Sequence, residues 1–171
     1  LKLKISPSTL VGGTINGGTA IYTRTSIEIE NNGKIYGGGG KGAYGSGYLF
    51  RYREFYDNIE AEGGEGGRGQ GFASTSSLTI LAAQPGEAGV YAAYSGPSFG
   101  DPLPYARGED GGNGGTWGAS GGYETGGGYY GGSMSYFQVS GPYEPGPAGY
   151  YLNGIAYVTW ANVGDVKGRL I

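Results

Sequence analysis

Glycine recurs at every third residue in several separate stretches of this chain, and that spacing limits what the backbone can do. Gly39, Gly42 and Gly45 show it, as do Gly63, Gly66 and Gly69, with Gly64 and Gly67 in a second row beside them. Gly86 and Gly89 repeat it, and Gly128 and Gly131 do so again. Gly108, Gly111 and Gly114 run alongside Gly112, Gly115, Gly118 and Gly121. A period of three belongs to neither α-helix nor β-strand; it is the period of the polyproline II conformation. That conformation makes no internal hydrogen bonds, so its N–H and C=O groups must find partners on neighbouring segments. Collagen meets the need with proline-rich triplets, but 8 prolines in 171 residues and short runs exclude a triple helix here. The expected solution is a polyglycine II helix bundle, a sandwich of extended rods bonded laterally, with glycine wherever a Cβ would push neighbours apart.

The rest of the composition agrees with a scaffold of that kind. Glycine fills 41 of 171 positions, against about 7% in an average protein. Hydrophobic residues make up 37% and include 17 tyrosines, so the middle of the chain cannot supply an ordinary aliphatic core. Disorder would fit the glycine, but a net charge of −3 with 15% charged residues lacks the signature of a solvated tail. There is no cysteine and no histidine. Disulfides, thiolate metal sites and imidazole bases are therefore out of reach. Mild acidity argues against nucleic acid as a partner. No signal-like or long apolar run opens the chain, and Leu1 in place of methionine reads as a piece of something longer. No cofactor and no metal is expected.

Both ends read as β. Leu1, Leu3 and Ile5 alternate with Lys2 and Lys4, and Ile27 and Ile29 alternate with Glu28 and Glu30. Asn31-Asn32-Gly33 then predicts a tight turn that folds Lys34-Ile35-Tyr36 back. Tyr150–Leu152 and Ile155–Trp160 repeat the pattern near the other end, with turns at Asn153-Gly154 and Asn162–Asp165. The expected organisation is one domain, 1–171: a β base at 1–36, glycine rods with Tyr-rich loops at 37–149, and a closing β segment at 150–171. The fold class is mostly irregular and all-β, with essentially no α-helix. Phe50–Glu62 is the sole helix candidate.

Two stretches carry a family resemblance. Thr25–Gly42, in which Asn31-Asn32-Gly33-Lys34-Ile35 leads into a glycine block, resembles a glycine-rich module of bacteriophage tail-fibre proteins. The end is similar too, with Gly149-Tyr150-Tyr151-Leu152-Asn153-Gly154, then Val158-Thr159-Trp160-Ala161-Asn162-Val163-Gly164, then Gly168-Arg169. In architecture the rods resemble the distal adhesins of T-even phages, in which polyglycine II helices form a stacked sandwich. The resemblance implies a receptor-binding protein at the distal tip of a tail fibre on the virion. Its loops would recognise a bacterial outer-membrane receptor and its base would join the rest of the fibre, either as a homotrimer or as a monomer on a trimeric stalk.

The side-chain chemistry favours binding over catalysis. Glu54 with Asp57, and Glu109 with Asp110, are the nearest carboxylate pairs, and loop solubility accounts for them better than glycosidase chemistry does. Gly37, Gly39 and Gly42 spell a dinucleotide fingerprint formally, but Gly45 and Gly47 follow where a helix is required. Tyrosine offers large contact area, few torsions and a polar tip, which is why binding loops favour it. One cluster holds Tyr48, Phe50, Arg51, Tyr52, Arg53, Phe55 and Tyr56. A second holds Tyr91, Tyr94, Phe99 and Tyr105, and a third holds Tyr129, Tyr130, Tyr136 and Phe137. Tyr123 marks a short polar tip between two glycine runs. These are the candidate receptor contacts; the competing role for each is to cap rods that have no side chains of their own. With little positive charge to draw in anionic lipopolysaccharide, an outer-membrane protein is the favoured receptor. Two other functions share the composition. Ice-binding bundles also use glycine at period three, but they present small residues where this chain has Tyr, Arg, Glu and Pro. Extracellular Gly/Tyr-rich structural proteins use long near-identical repeats, which this chain lacks.

Overall fold

The structure, a computed structural model, describes residues 1–52, 58–93, 105–130, 134–138 and 140–171, without side chains at 50–52, 58–59, 129–130 and 134–138. The chain builds short strands: β1 (Lys2–Ile5), β2 (Leu10–Gly12), β3 (Ile21–Tyr22), β4 (Ile27–Asn31), β5 (Lys34–Tyr36), β6 (Tyr48–Tyr52), β7 (Asn58–Ala61), β8 (Gly71–Phe72) and β9 (Ile80–Leu81). They continue as β10 (Tyr91–Ala93), β11 (Tyr105–Arg107), β12 (Gly128–Tyr130), β13 (Met134–Gln138), β14 (Tyr150–Asn153), β15 (Val158–Asn162), β16 (Asp165–Lys167) and β17 (Arg169–Leu170). Among the described residues there is no α-helix, only a 3-10 turn at Ile155–Tyr157. Of the helix candidate Phe50–Glu62, the described residues hold part of β6 and all of β7, and 53–57 lie outside the described residues.

The two ends of the chain combine into one base of parallel strands. Its three sheets run β1-β4-β15, β16-β5-β2 and β17-β14-β3, and every pairing in them is parallel. Followed along the chain, the strands wind through the sheets three times. The first coil is β1, β2, β3; the second is β4, β5, β14; the third is β15, β16, β17. Like residues therefore stack from coil to coil. Leu3 stands beside Ile29 and Ile29 beside Trp160; Val11, Ile35 and Val166 make a second row; Ile21, Leu152 and Leu170 make a third. Ile29, Ile35 and Leu152 are fully buried. Leu3, Val11, Ile27, Val158, Trp160 and Val166 pack against the Ile5, Ile29 and Ile35 cluster. Burying one such side chain contributes about 1.5–3 kcal/mol.

At Asn31-Asn32-Gly33 the chain departs from the expected fold-back. β4 and β5 lie in different sheets, so the segment turns a corner of the coil. None of the three residues takes the positive φ that a two-residue hairpin requires. The buried Asn31 side chain secures the corner: its Oδ1 accepts from Gly33 N–H at 3.0 Å, and its Nδ2 donates to the Val163 carbonyl at 2.5 Å. Close by, the Tyr36 hydroxyl donates a short hydrogen bond to the Asp165 carboxylate, joining the second coil to the third. That bond, with burial and the adjacent negative charge, pushes the Tyr36 phenol up to about 12. A folded-state value above the unfolded value, about 10, means the contribution is complete below pH 10 and lost between pH 10 and 12. Melting curves should show Tyr36→Phe less stable than the parent at pH 8, with the gap in Tm closing by pH 12.

In the glycine runs between β5 and β14 the hydrogen bonds between neighbouring segments advance by three. The N–H groups of Gly39, Gly42 and Gly45 donate to the carbonyls of Gln70, Gly67 and Gly64 at 2.7, 2.9 and 2.8 Å. Those of Gly64, Gly67 and Gln70 donate to Glu109, Gly112 and Gly115 at 2.8, 2.8 and 2.9 Å. Glu109, Gly112 and Gly115 donate in turn to Ser46, Ala43 and Gly40, closing a triangle of three segments. A fourth segment joins the second and third: Gln84, Glu87 and Val90 donate to Arg68, Glu65 and Glu62, and Gly108, Gly111 and Gly114 donate to Val90, Glu87 and Gln84. A β ladder would advance by two. Apolar burial is slight in this region, where the described buried apolar side chains are Ala43, Ala61, Ala106 and Ala148. Lateral hydrogen bonds, at about 1 kcal/mol net each, hold the segments where an apolar core is missing.

Candidate functional site

The extended segments shuttle between the parallel base and a second structured region at their far end. Gly37 leaves the base and the segment reaches β6; after β7 the chain returns to Gly71–Phe72, where Phe72 N–H and C=O bond Gly13 and Ile15. It goes out again to β10, comes back after β11 to Gly118, whose N–H bonds the Gly37 carbonyl, and departs once more for β12 and β13. The final return passes Gly146 and Gly149 into β14. The far region therefore consists of two antiparallel sheets, ordered β13-β6-β7 and β10-β11-β12, which contact each other through β7, β10 and β11. The described members of the three aromatic clusters lie here, in segments that sequence reading takes as loops.

The structure brings many candidates together. Phe50 stands opposite Tyr136 and Ile59, Arg51 opposite Ser135, Tyr52 opposite Met134, and Phe137 opposite Leu49. In the other sheet Tyr105 stands opposite Tyr130, and Tyr129 opposite Ala106. Ala106 is fully buried while Tyr91 and Tyr105 are 67% and 41% exposed, so the alternation of the strand turns one face outward. The two rings lie 6.5 Å apart, with the Arg107 guanidinium 5.3 Å from the Tyr91 centroid and ion-paired to Asp110. Tyr123 is exposed and its hydroxyl donates to Glu144 at 3.1 Å, a bond that raises its phenol above the usual value. Tyr48 behaves differently: half-buried, it donates to Glu109 at 2.6 Å, and that carboxylate also accepts from Ser46 N–H. Arg53, Phe55, Tyr56, Tyr94 and Phe99 lie outside the described residues.

Residues 9–171 match a family described as Phage tail fibre adhesin Gp38. The chain belongs to that family. No curated protein and no solved structure matches it. Membership makes the chain a bacteriophage tail-fibre adhesin, a component of the virion tail whose work is attachment to the host surface.

Sequence reading missed a groove on this adhesin, of about 370 Å³, beside the first sheet. Tyr44 and Tyr143 form one wall, their rings edge to face at 5.9 Å, and Glu60, Glu62 and Ser140 line it too. Tyr44 was hidden inside a glycine run and Tyr143 inside a proline-rich one. The legible signal was Glu60-Ala61-Glu62, an alternation that buries Ala61 completely and leaves both carboxylates outside.

Proposed function

We propose that this chain is the receptor-contacting tip of the tail fibre, folded as one unit in which polyglycine II rods hold the aromatic sheets away from the base. The shuttling of the rods supports this reading, because every return to the base leaves the aromatic segments at the opposite end. The three-residue step of the hydrogen bonds supports the polyglycine II conformation. A rigid scaffold meets its target with little ordering cost, which raises affinity for a given contact area. Tyr91, Tyr105, Tyr123 and Tyr130 are the proposed contacts beside one sheet, with Tyr129 on the opposite face beside the buried Ala106, and Phe50, Arg51, Tyr52, Tyr136 and Phe137 belong to the other sheet. The base joins the rest of the fibre, and an outer-membrane protein is the favoured receptor ahead of lipopolysaccharide. Ice binding and a silk-like structural role have no comparable support.

Adsorption competition tests the reading. Purified chain at saturating concentration should block attachment of the parent phage to sensitive cells, and unchanged attachment would overturn the assignment. Exchanging residues 46–62 or 90–107 with those of another adhesin should shift host range while the melting temperature stays within a few degrees, since neither exchange touches the base. A shift in stability without any shift in host range would count against these segments as the contact surface.

A further inference from the structure

Charge is distributed unevenly along this adhesin. Residues 37–149 hold eleven of the 14 acidic side chains but only five of the 11 basic ones, a net −6; the remaining residues, which build the base, carry +3. The rods and sheets are thus the negative end of the molecule. Most carboxylates with a described partner are already used inside the fold: Glu28 and Glu30 with Lys2 and Lys4, Glu109 with Tyr48, Asp110 with Arg107, Glu144 with Tyr123, Asp165 with Tyr36. Glu60 and Glu62 are exposed and make no ion pair or side-chain hydrogen bond among the described residues. They line the same groove as the Tyr44–Tyr143 pair.

We infer that this groove seats a lysine or arginine side chain presented on an extended protein loop of the receptor, an inference that rests on the tip reading above. Two unpaired carboxylates on either side of the buried Ala61, both lining the groove, offer a cation its acceptors. The tyrosine rings offer π-faces and an apolar wall for the aliphatic stem. A ring of this pair already holds a cation: Lys41 Nζ lies 4.2 Å from the Tyr44 centroid and donates to its hydroxyl at 2.5 Å. Tyr143, packed edge to face on Tyr44 and 40% exposed, holds no cation among the described residues. The single positive charge of Lys41 does not offset two carboxylates. The volume of about 370 Å³ accommodates a long side chain together with the backbone that carries it. An anionic saccharide would meet like charge at the same place, so the electrostatics select a cationic protein segment over a phosphorylated glycan.

Outer-membrane vesicles from a sensitive strain provide the probe, with binding measured across a salt series for the parent chain and for Glu60→Gln/Glu62→Gln. Both side chains are exposed and unpaired, so the melting temperature should not change. The double variant should bind about tenfold more weakly at low salt, the cost of removing the acidic partners of a buried cation, and its salt dependence should be shallower than the parent's. Protease treatment of the vesicles should abolish binding of both proteins. Equal binding by parent and variant would overturn the groove assignment while leaving the tip reading intact. Tighter binding by the variant would also overturn it, in favour of an anionic glycan. A parent chain that fails to bind vesicles at all would remove the tip reading, and this inference with it.

Discussion

Gly42→Ala is expected to unfold the rod region, although it adds one methyl group. A Cβ at this position would lie 1.9 Å from the Gly112 carbonyl oxygen and 2.5 Å from its carbon. Those are backbone atoms, and Gly112 cannot retreat, because its own N–H bonds Ala43 and its carbonyl accepts from Gly67. The neighbouring segments are equally committed: a Cβ on Gly66 would meet the Gly42 oxygen at 2.0 Å, and one on Gly111 the Glu65 oxygen at 2.1 Å. Relief requires prising apart two segments and several hydrogen bonds at once, so a loss of about 4 kcal/mol or more is expected, beyond ordinary overpacking. Gly122→Ala is the control. Its nearest neighbour would be Asn113 N at 3.3 Å, a tight contact that a shift of a few tenths of an ångström relieves, so it should cost far less than Gly42→Ala, about 1 kcal/mol. Urea denaturation of the two variants decides the matter; equal stability would mean that the segments are not held by close lateral contact.

Asn31→Ala should cost about 2–4 kcal/mol, the penalty for stranding a buried donor and a buried acceptor together. The side chain is fully buried and bonds Gly33 N–H and the Val163 carbonyl, which belong to different coils. Removing it leaves the corner of the second coil unsatisfied and unties it from the third. Asn31→Asp should cost at least as much at neutral pH, since one oxygen still accepts from Gly33 but the other sets a buried charge against the Val163 carbonyl. Thermal melting monitored at Trp160, which packs against the base core, should report the loss directly. A variant as stable as the parent would show that water substitutes for the amide without cost.

The period of the glycines was legible because it reflects one geometric demand, close approach on a fixed side of the backbone, and the hydrogen bonds advance by that same period. The β character of both ends was legible from Leu3, Ile5, Ile27 and Ile29. Their pairing was not. Alternation says which face of a strand is buried and nothing about which strand lies beside it, so the local signal at Asn31–Gly33 suggested a fold-back where the chain turns a corner. A parallel coil is held by partners more than a hundred residues away, as in Glu28 beside Thr159. The aromatic segments carried a strand signal of their own in Tyr48-Leu49-Phe50-Arg51-Tyr52, which the richness of surrounding glycine obscured. Among candidate contacts, the exposure of Tyr91 and Tyr105 could be hoped for from composition. The tie between Tyr48 and Glu109 could not, because the two are remote in sequence. Tyr44, Glu60, Glu62 and Tyr143 escaped notice because a groove is made by juxtaposition, and no single segment contains it.

The rods begin at Gly37 and end at Gly149, and a Cβ on the first would come within 2.1 Å of the carbonyl of the second. Covalently, the stretch from 37 to 149 is thus an insertion joined to the middle coil at two adjacent points, although Phe72 also bonds the first coil. Under the tip reading proposed above, such a layout lets a phage exchange the inserted stretch by recombination at a pair of neighbouring seams while the base stays unaltered. Host shifts on this scaffold would then arrive as whole-cassette replacements as readily as by single substitutions.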